Sequence, residues 1–190
     1  MKTKFVRRKT RKFVNFISKP FIYFKFNPNL ISVMSLFAIV AFYPLLDKGY
    51  FIFASLMILL NGLFDVIDGN VARARGKSSK FGQFLDRTID KVSDSLILAA
   101  FMVYGLISIP LGLYTLITMF LATNVTANME GVLNLKISDA VSMRFFRTLI
   151  LIVGVAIGQF WIMFVKLAII SSYSLFYRFG LACYLYYIKK

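Results

Sequence analysis

Six apolar stretches of near-bilayer length, separated by short polar turns, set the pattern of this chain. A helix needs about 20 predominantly apolar residues to cross the hydrocarbon core. The first stretch runs over about 29–46, from Asn29 to Leu46, and is closed by Asp47-Lys48-Gly49. The second starts at Tyr50 and runs into the Asp65–Arg73 region, so its last turns are polar. The third opens near Phe81 with polar turns and becomes apolar from Leu96 to Ile107. The fourth covers about 109–128, with Pro110 in its first turn, where a missing N–H is tolerated. The fifth runs from about Met143 to Ile157 and ends at Gly158-Gln159; the sixth covers about 164–187 and ends in Lys189-Lys190. This pattern predicts an all-α membrane protein with six transmembrane helices. No repeat, low-complexity tract or long linker divides it.

Residues 1–26 read differently. Nine basic residues and no acidic one precede Asn27, interleaved with Phe5, Val6, Phe13, Val14, Phe16, Ile17, Phe21 and Ile22. Such a segment predicts an amphipathic helix lying on an anionic membrane surface. No uncharged apolar core follows the first charges, so it does not read as a signal peptide. The expected organisation is a basic juxtamembrane segment over 1–26 and a six-helix domain over 27–190.

Composition narrows the chemistry. The chain is 59% hydrophobic and 16% charged, with a net charge of +15, whereas soluble domains carry roughly 25% charged residues. The charge does not point to nucleic acid, because lipid headgroups account for its placement. With six spans, the N-terminus, the 74–80 and 129–142 loops and the C-terminus share one side. That side holds 20 of the 23 basic residues; Lys48 and Lys166 lie opposite, and Arg178 sits inside the sixth span. The positive-inside rule then puts both termini in the cytoplasm. One cysteine, Cys183, excludes an internal disulfide, and the absence of histidine excludes His-ligated metals and Ser-His-Asp triads.

Acid–base and metal chemistry therefore fall to eight carboxylates. Five of them, Asp65, Asp68, Asp86, Asp90 and Asp94, occupy the cytoplasmic ends of the second and third spans. The spacings of three and four put each set on one helix face. Two antiparallel helices joined by the short 74–80 loop are expected to turn these faces together. An Asp at a transmembrane helix centre is unfavourable by about 2.5–3.5 kcal/mol, and clustered carboxylates repel unless a cation lies between them. All-oxygen ligation favours a hard divalent ion, Mg²⁺ or Mn²⁺. Simple pairing with Arg73, Arg75, Arg87 and Lys91 is the plainer alternative.

The acids belong to a longer pattern. Asp65, Asp68, Gly69, Ala72, Arg73, Gly82, Asp86 and Asp90 spell D-x2-D-G-x2-A-R-x8-G-x3-D-x3-D. This resembles the signature of the CDP-alcohol phosphatidyltransferase family at every fixed position. Asn27-Pro28-Asn29-Leu30-Ile31-Ser32 is similar to the P-N-x2-[TS] stretch before the first span of these enzymes. The resemblance implies transfer of the lipid phosphate of a CDP-linked lipid to a polar alcohol, with release of CMP, in phospholipid head-group synthesis. It implies that Asp65, Asp68, Asp86 and Asp90 ligate metal, as two Mg²⁺ or Mn²⁺ ions, with Asp90 as general base. It also implies that Asn29, Gly69, Arg73 and Gly82 bind the CDP-lipid. For Gly69 and Gly82, close helix packing is a second reading. Asp94 lies outside the signature, and its role stays open.

The acceptor is expected in a polar cavity beside the metals. The run Met143–Leu151, with Arg144 and Arg147 on one face, is similar to the R-x2-R-x-L-I-L opening of the fifth span in the inositol-phosphate branch. There the arginines serve the acceptor's phosphate, and Lys136 is a further candidate. A plain positive-inside anchor is the other reading of these arginines. Inositol 1-phosphate is the expected acceptor; Asp90-Lys91 also resembles the glycerol-phosphate branch, which is the alternative. Outside the family, the competing class is a small cation transporter. A homodimer through an apolar face of the third or fourth span is expected, as is a multi-pass location in the cell membrane with the active site facing the cytoplasm.

Overall fold

The computed structural model describes residues 14–76, 79–132 and 140–188, all helices and turns, with no strand among the described residues. Helix α1 covers 14–23. It is followed by α2 (Pro28–Asp47), α3 (Phe51–Ala74), α4 (Lys80–Val103), α5 (Ile109–Gly131), α6 (Ala140–Ile157) and α7 (Phe160–Ile188). Several helix ends follow local sequence signals. Asn27 caps α2, its side-chain oxygen accepting from the Asn29 N–H at 3.1 Å, with Pro28 in the first turn. Ser79 caps α4 by accepting from the Gly82 N–H at 2.9 Å. Helix α4, the third expected span, stops at Val103 rather than Ile107, because Tyr104-Gly105 turns the chain with Gly105 at φ +64°. The last helix begins at Phe160, earlier than the hydropathy pattern implied, directly after Gly158-Gln159.

Among the described residues, four helices are long and apolar enough to cross a bilayer: α2, α3, α5 and α7. The other two expected spans, in α4 and α6, are not among these four. The first half of α4 carries Asp86, Arg87, Asp90, Lys91 and Asp94, and of α6 only the apolar run Phe145–Ile157 has described side chains. Burial is nonetheless distributed as in a membrane protein. Large apolar side chains such as Phe37, Phe53, Trp161 and Phe176 point outward, while Asp68, Arg147 and Arg178 are buried.

The main core gathers at the bundle end away from the aspartates. Phe42 of α2, Phe101 of α4 and Phe164 of α7 are fully buried there beside Ile58 and Val155. The Phe101 ring meets Phe42, Phe160 and Phe164 at centroid distances of 6.0, 5.2 and 5.4 Å. At the other end, a smaller cluster of Ile31, Ile67 and Val71 is covered by Ile17, Phe21 and Ile22 of α1. Phe16, Lys19 and Tyr23 of α1 stay exposed, so one face of α1 packs on this cluster and the other does not. Residues 1–13 of that segment lie outside the described residues.

One expectation is corrected. α3 and α4 do not pack face to face along their lengths: α2 lies against both, and α3 and α4 meet at few points. The loop joining them brings only their ends together, and α2 supplies the third wall of the space between.

Candidate active site

That space is a cavity of about 390 Å³ between the start of α2, the end of α3 and the start of α4. Asn29 and Ser32 line it from α2, Asp68, Gly69 and Arg73 from α3, and Gly82 and Asp86 from α4. The local sequence explains the placement. Pro28 and the Asn27 cap start α2 at the cavity edge, Ser79 starts α4 opposite, and the D-x2-D-G spacing turns Asp68 and Gly69 inward.

Asp65, Asp68 and Asp86 each offer one carboxylate oxygen, and these oxygens lie within 4.8 Å of one another. Asp68 is buried and the other two are half-buried. At that separation two carboxylates repel by roughly 3 kcal/mol at an effective dielectric of 20. The donors are hard oxygens from two elements, a set that suits Mg²⁺ or Mn²⁺ and leaves positions for phosphate oxygens. Asp90, expected as a fourth ligand, lies outside this group; it is half-buried one turn further along α4. The face formed by Asp86, Asp90 and Asp94 therefore does not enter the triad as a unit.

Other residues complete the surroundings. The buried Ser32 hydroxyl donates to an Asp68 carboxylate oxygen, so α2 holds the acid that α3 supplies. Sequence reasoning quoted Ser32 only within the stretch before the first span and gave it no partner. A Cβ on Gly82 would stand 3.2 Å from Ser79 Oγ and 3.6 Å from Asn29 Oδ1. One on Gly69 would stand 3.4 Å from Arg73 Nη1. Neither glycine faces a neighbouring helix backbone at close range, so the space they leave belongs to the cavity.

The residues expected at the acceptor phosphate are only partly in view. Lys136 and the side chain of Arg144 lie outside the described residues. Arg147, on α6, is buried. Sequence reasoning gave no role to Arg178, although an arginine within an apolar span is a signal in itself. It is buried on α7 and donates to the Ala122 carbonyl at 3.2 Å and to Thr126 Oγ1, both on α5. Lys91 of α4 donates to Asn124 Oδ1 of α5 at 2.7 Å, its ammonium 5.4 Å from the Phe120 ring centre.

An all-helical fold with an acidic triad beside a glycine-walled cavity is the arrangement that the signature anticipates. The chain belongs to the CDP-alcohol phosphatidyltransferase family, which it matches over residues 25–177. It is similar to the archaetidylinositol phosphate synthase of Pyrococcus horikoshii, at 32% identity over 119 residues, covering 62% of this chain and 63% of that protein. It is also similar to the archaetidylinositol phosphate synthase of Methanothermobacter thermautotrophicus, at 28% identity over 132 residues, covering 68% and 67% of the two chains. The alignments thus span about two thirds of these relatives. The fold is similar to that of Mycobacterium tuberculosis phosphatidylinositol phosphate synthase with CDP-DAG bound, with a TM-score of 0.74 at 22% identity over 90% of this chain and 94% of that one. The same enzyme in complex with manganese and citrate gives a TM-score of 0.72 at 20% identity, covering 89% and 88%.

Proposed function

We propose that this chain is an integral membrane phosphotransferase that moves the lipid phosphate of a CDP-linked lipid to inositol 1-phosphate, releasing CMP. The convergence of Asp65, Asp68 and Asp86 carries this reading, with Asp68 and Asp86 on the cavity wall. Three carboxylates from two helices are the donor set for divalent ions, and Asp90 stands one turn beyond them. Two such ions would neutralise the diphosphate and stabilise the attacking and leaving oxygens. The chain's own residues bind and orient. Gly69 and Gly82 leave room for the nucleotide, Arg73 pairs with the diphosphate, and Asn29 closes the α2 side. Asp90 accepts the proton of the acceptor hydroxyl, and Ser32 fixes the Asp68 carboxylate.

Arg147, with Arg144 and Lys136, serves the acceptor phosphate; guanidinium forks suit that dianion. The names of the Pyrococcus and Methanothermobacter relatives support inositol phosphate. The glycerol-phosphate alternative keeps the support of Asp90-Lys91. Six spans, cytoplasmic termini and a cytoplasm-facing site in the cell membrane are part of the proposal. The polar half of α4 would then face the watered cavity rather than lipid. Family membership sets aside the cation transporter.

The test is CMP release by purified protein with CDP-lipid and Mg²⁺ or Mn²⁺, comparing inositol 1-phosphate with glycerol 1-phosphate, glycerol 3-phosphate, free inositol and serine. Release is expected with inositol 1-phosphate and should fall at least 100-fold in Asp90→Asn, which still binds CDP-lipid. Release with a glycerol phosphate alone would replace the acceptor assignment. Normal turnover by Asp90→Asn would remove its role as base.

A further inference from the structure

A second polar contact ties the helices together further into the bundle than the acidic triad. The Asn61 carboxamide of α3 donates to the Ser35 carbonyl of α2 at 3.1 Å and to the Ser93 hydroxyl of α4 at 3.2 Å. One side chain therefore joins the three helices that wall the cavity. Ser35 and Ser93 are buried, and Asn61 is half-buried. Along α3, Asn61 stands about one turn from Asp65 and two from Asp68; along α4, Ser93 stands about two turns from Asp86. The α3–α4 loop fixes the two helices on one side of the triad, and the Asn61 contacts fix them on the other. Between these ties α2 separates them, and they meet at few points.

From this placement we infer that Asn61 is a positioning residue for the divalent-ion site, setting the spacing and rotation of α3 against α4. The inference rests on the metal reading given above. Ligand distances in a metal site hold to about 0.2 Å. A carboxylate roughly 6 Å from its helix axis moves about 1 Å when the helix turns by ten degrees. A small rotation of α4 thus takes Asp86 out of register with Asp65 and Asp68. Asparagine suits the task because one planar group directs two N–H bonds to acceptors on different helices. Leucine matches its size and offers neither bond. The signature does not include this position, which lies four residues before its first aspartate.

The test reads Mn²⁺ binding to the full chain in nanodiscs, without substrate, by the loss of the free-ion EPR signal. Asn61→Leu should weaken Mn²⁺ binding about 10- to 100-fold, the range for groups that orient metal ligands, while the melting temperature shifts by only a few degrees. Ser93→Ala should weaken it less. The double variant should be no worse than Asn61→Leu, because both changes remove one shared bond. Mn²⁺ affinity within twofold of the parent in both single variants overturns the inference. If Asn61→Leu does not fold, Ser93→Ala alone decides by the same criterion. A parent protein that binds no Mn²⁺ overturns the metal reading, and this inference with it; a parent that binds alongside unchanged variants overturns this inference alone.

Discussion

Gly82 shows how one missing side chain can be read in two ways. As a helix-packing glycine it would accept alanine poorly on steric grounds and lose stability. Its surroundings point elsewhere: an added methyl would meet Ser79 Oγ at 3.2 Å and Asn29 Oδ1 at 3.6 Å, on the cavity side. Alanine is the better helix former by about 1 kcal/mol, which offsets the pressure on the Ser79 cap. Gly82→Ala should therefore keep its melting temperature within a few degrees and its Mn²⁺ affinity unchanged. Its KM for CDP-lipid should rise at least tenfold in a CMP-release assay. An unchanged KM with a lower melting temperature would return Gly82 to the packing role. The spacing of the signature made this position legible, along with Asp65, Asp68 and Asp86, because i, i+3 and i+4 relations survive any packing arrangement. Ser32 and Asn61 were not legible as partners. A serine hydroxyl on α2 meeting an acid on α3 is a contact across 36 positions, and periodicity within one helix carries no such information.

At the scale of elements, α1 and the turn that follows it are held by apolar burial and by an arginine. Arg75, just after α3, donates from Nη1 to the Lys25 carbonyl at 2.7 Å and to that of Phe26. It clamps the corner where Lys25 takes φ +55°, a conformation that disfavours side chains other than glycine. Arg75→Ala should release this corner, raising amide exchange across 24–27 about tenfold and lowering stability by about 1 kcal/mol. Arg75→Lys should recover only part, because an ammonium lacks the planar fork. Exchange equal to the parent's in Arg75→Ala would show that Ile17, Phe21 and Ile22 hold α1 alone. Hydropathy located the helices well but not their neighbours. The expectation that α3 and α4 face each other came from their short loop, and it failed because a loop fixes only the ends it joins. α2, whose Ala38 and small serines allow close approach, fills the gap between them.

For the whole molecule, the proposed arrangement across the membrane rests on length and charge together. α3, with 24 residues, is about 36 Å long, more than the roughly 30 Å hydrocarbon core. Lys48, before it, and Lys80, after it, are both exposed and flank its two ends. The acidic cavity lies at the Lys80 end, with Arg73 and Arg87 on its wall, and the proposed topology, drawn from the positive-inside rule, turns that end to the cytoplasm. The larger apolar core lies at the other end, so the proposed site for a soluble acceptor is at the cavity end. Cys183 is the sole cysteine, so a Cys183→Ser background permits single-site labelling. In intact cells a membrane-impermeant maleimide should label Lys48→Cys and leave Lys80→Cys untouched until the membrane is permeabilised. The reverse pattern would turn the cavity to the outside, away from any cytoplasmic supply of acceptor. Labelling of both sites in intact cells would mean that α3 does not span the bilayer, and the six-span arrangement would fall with it.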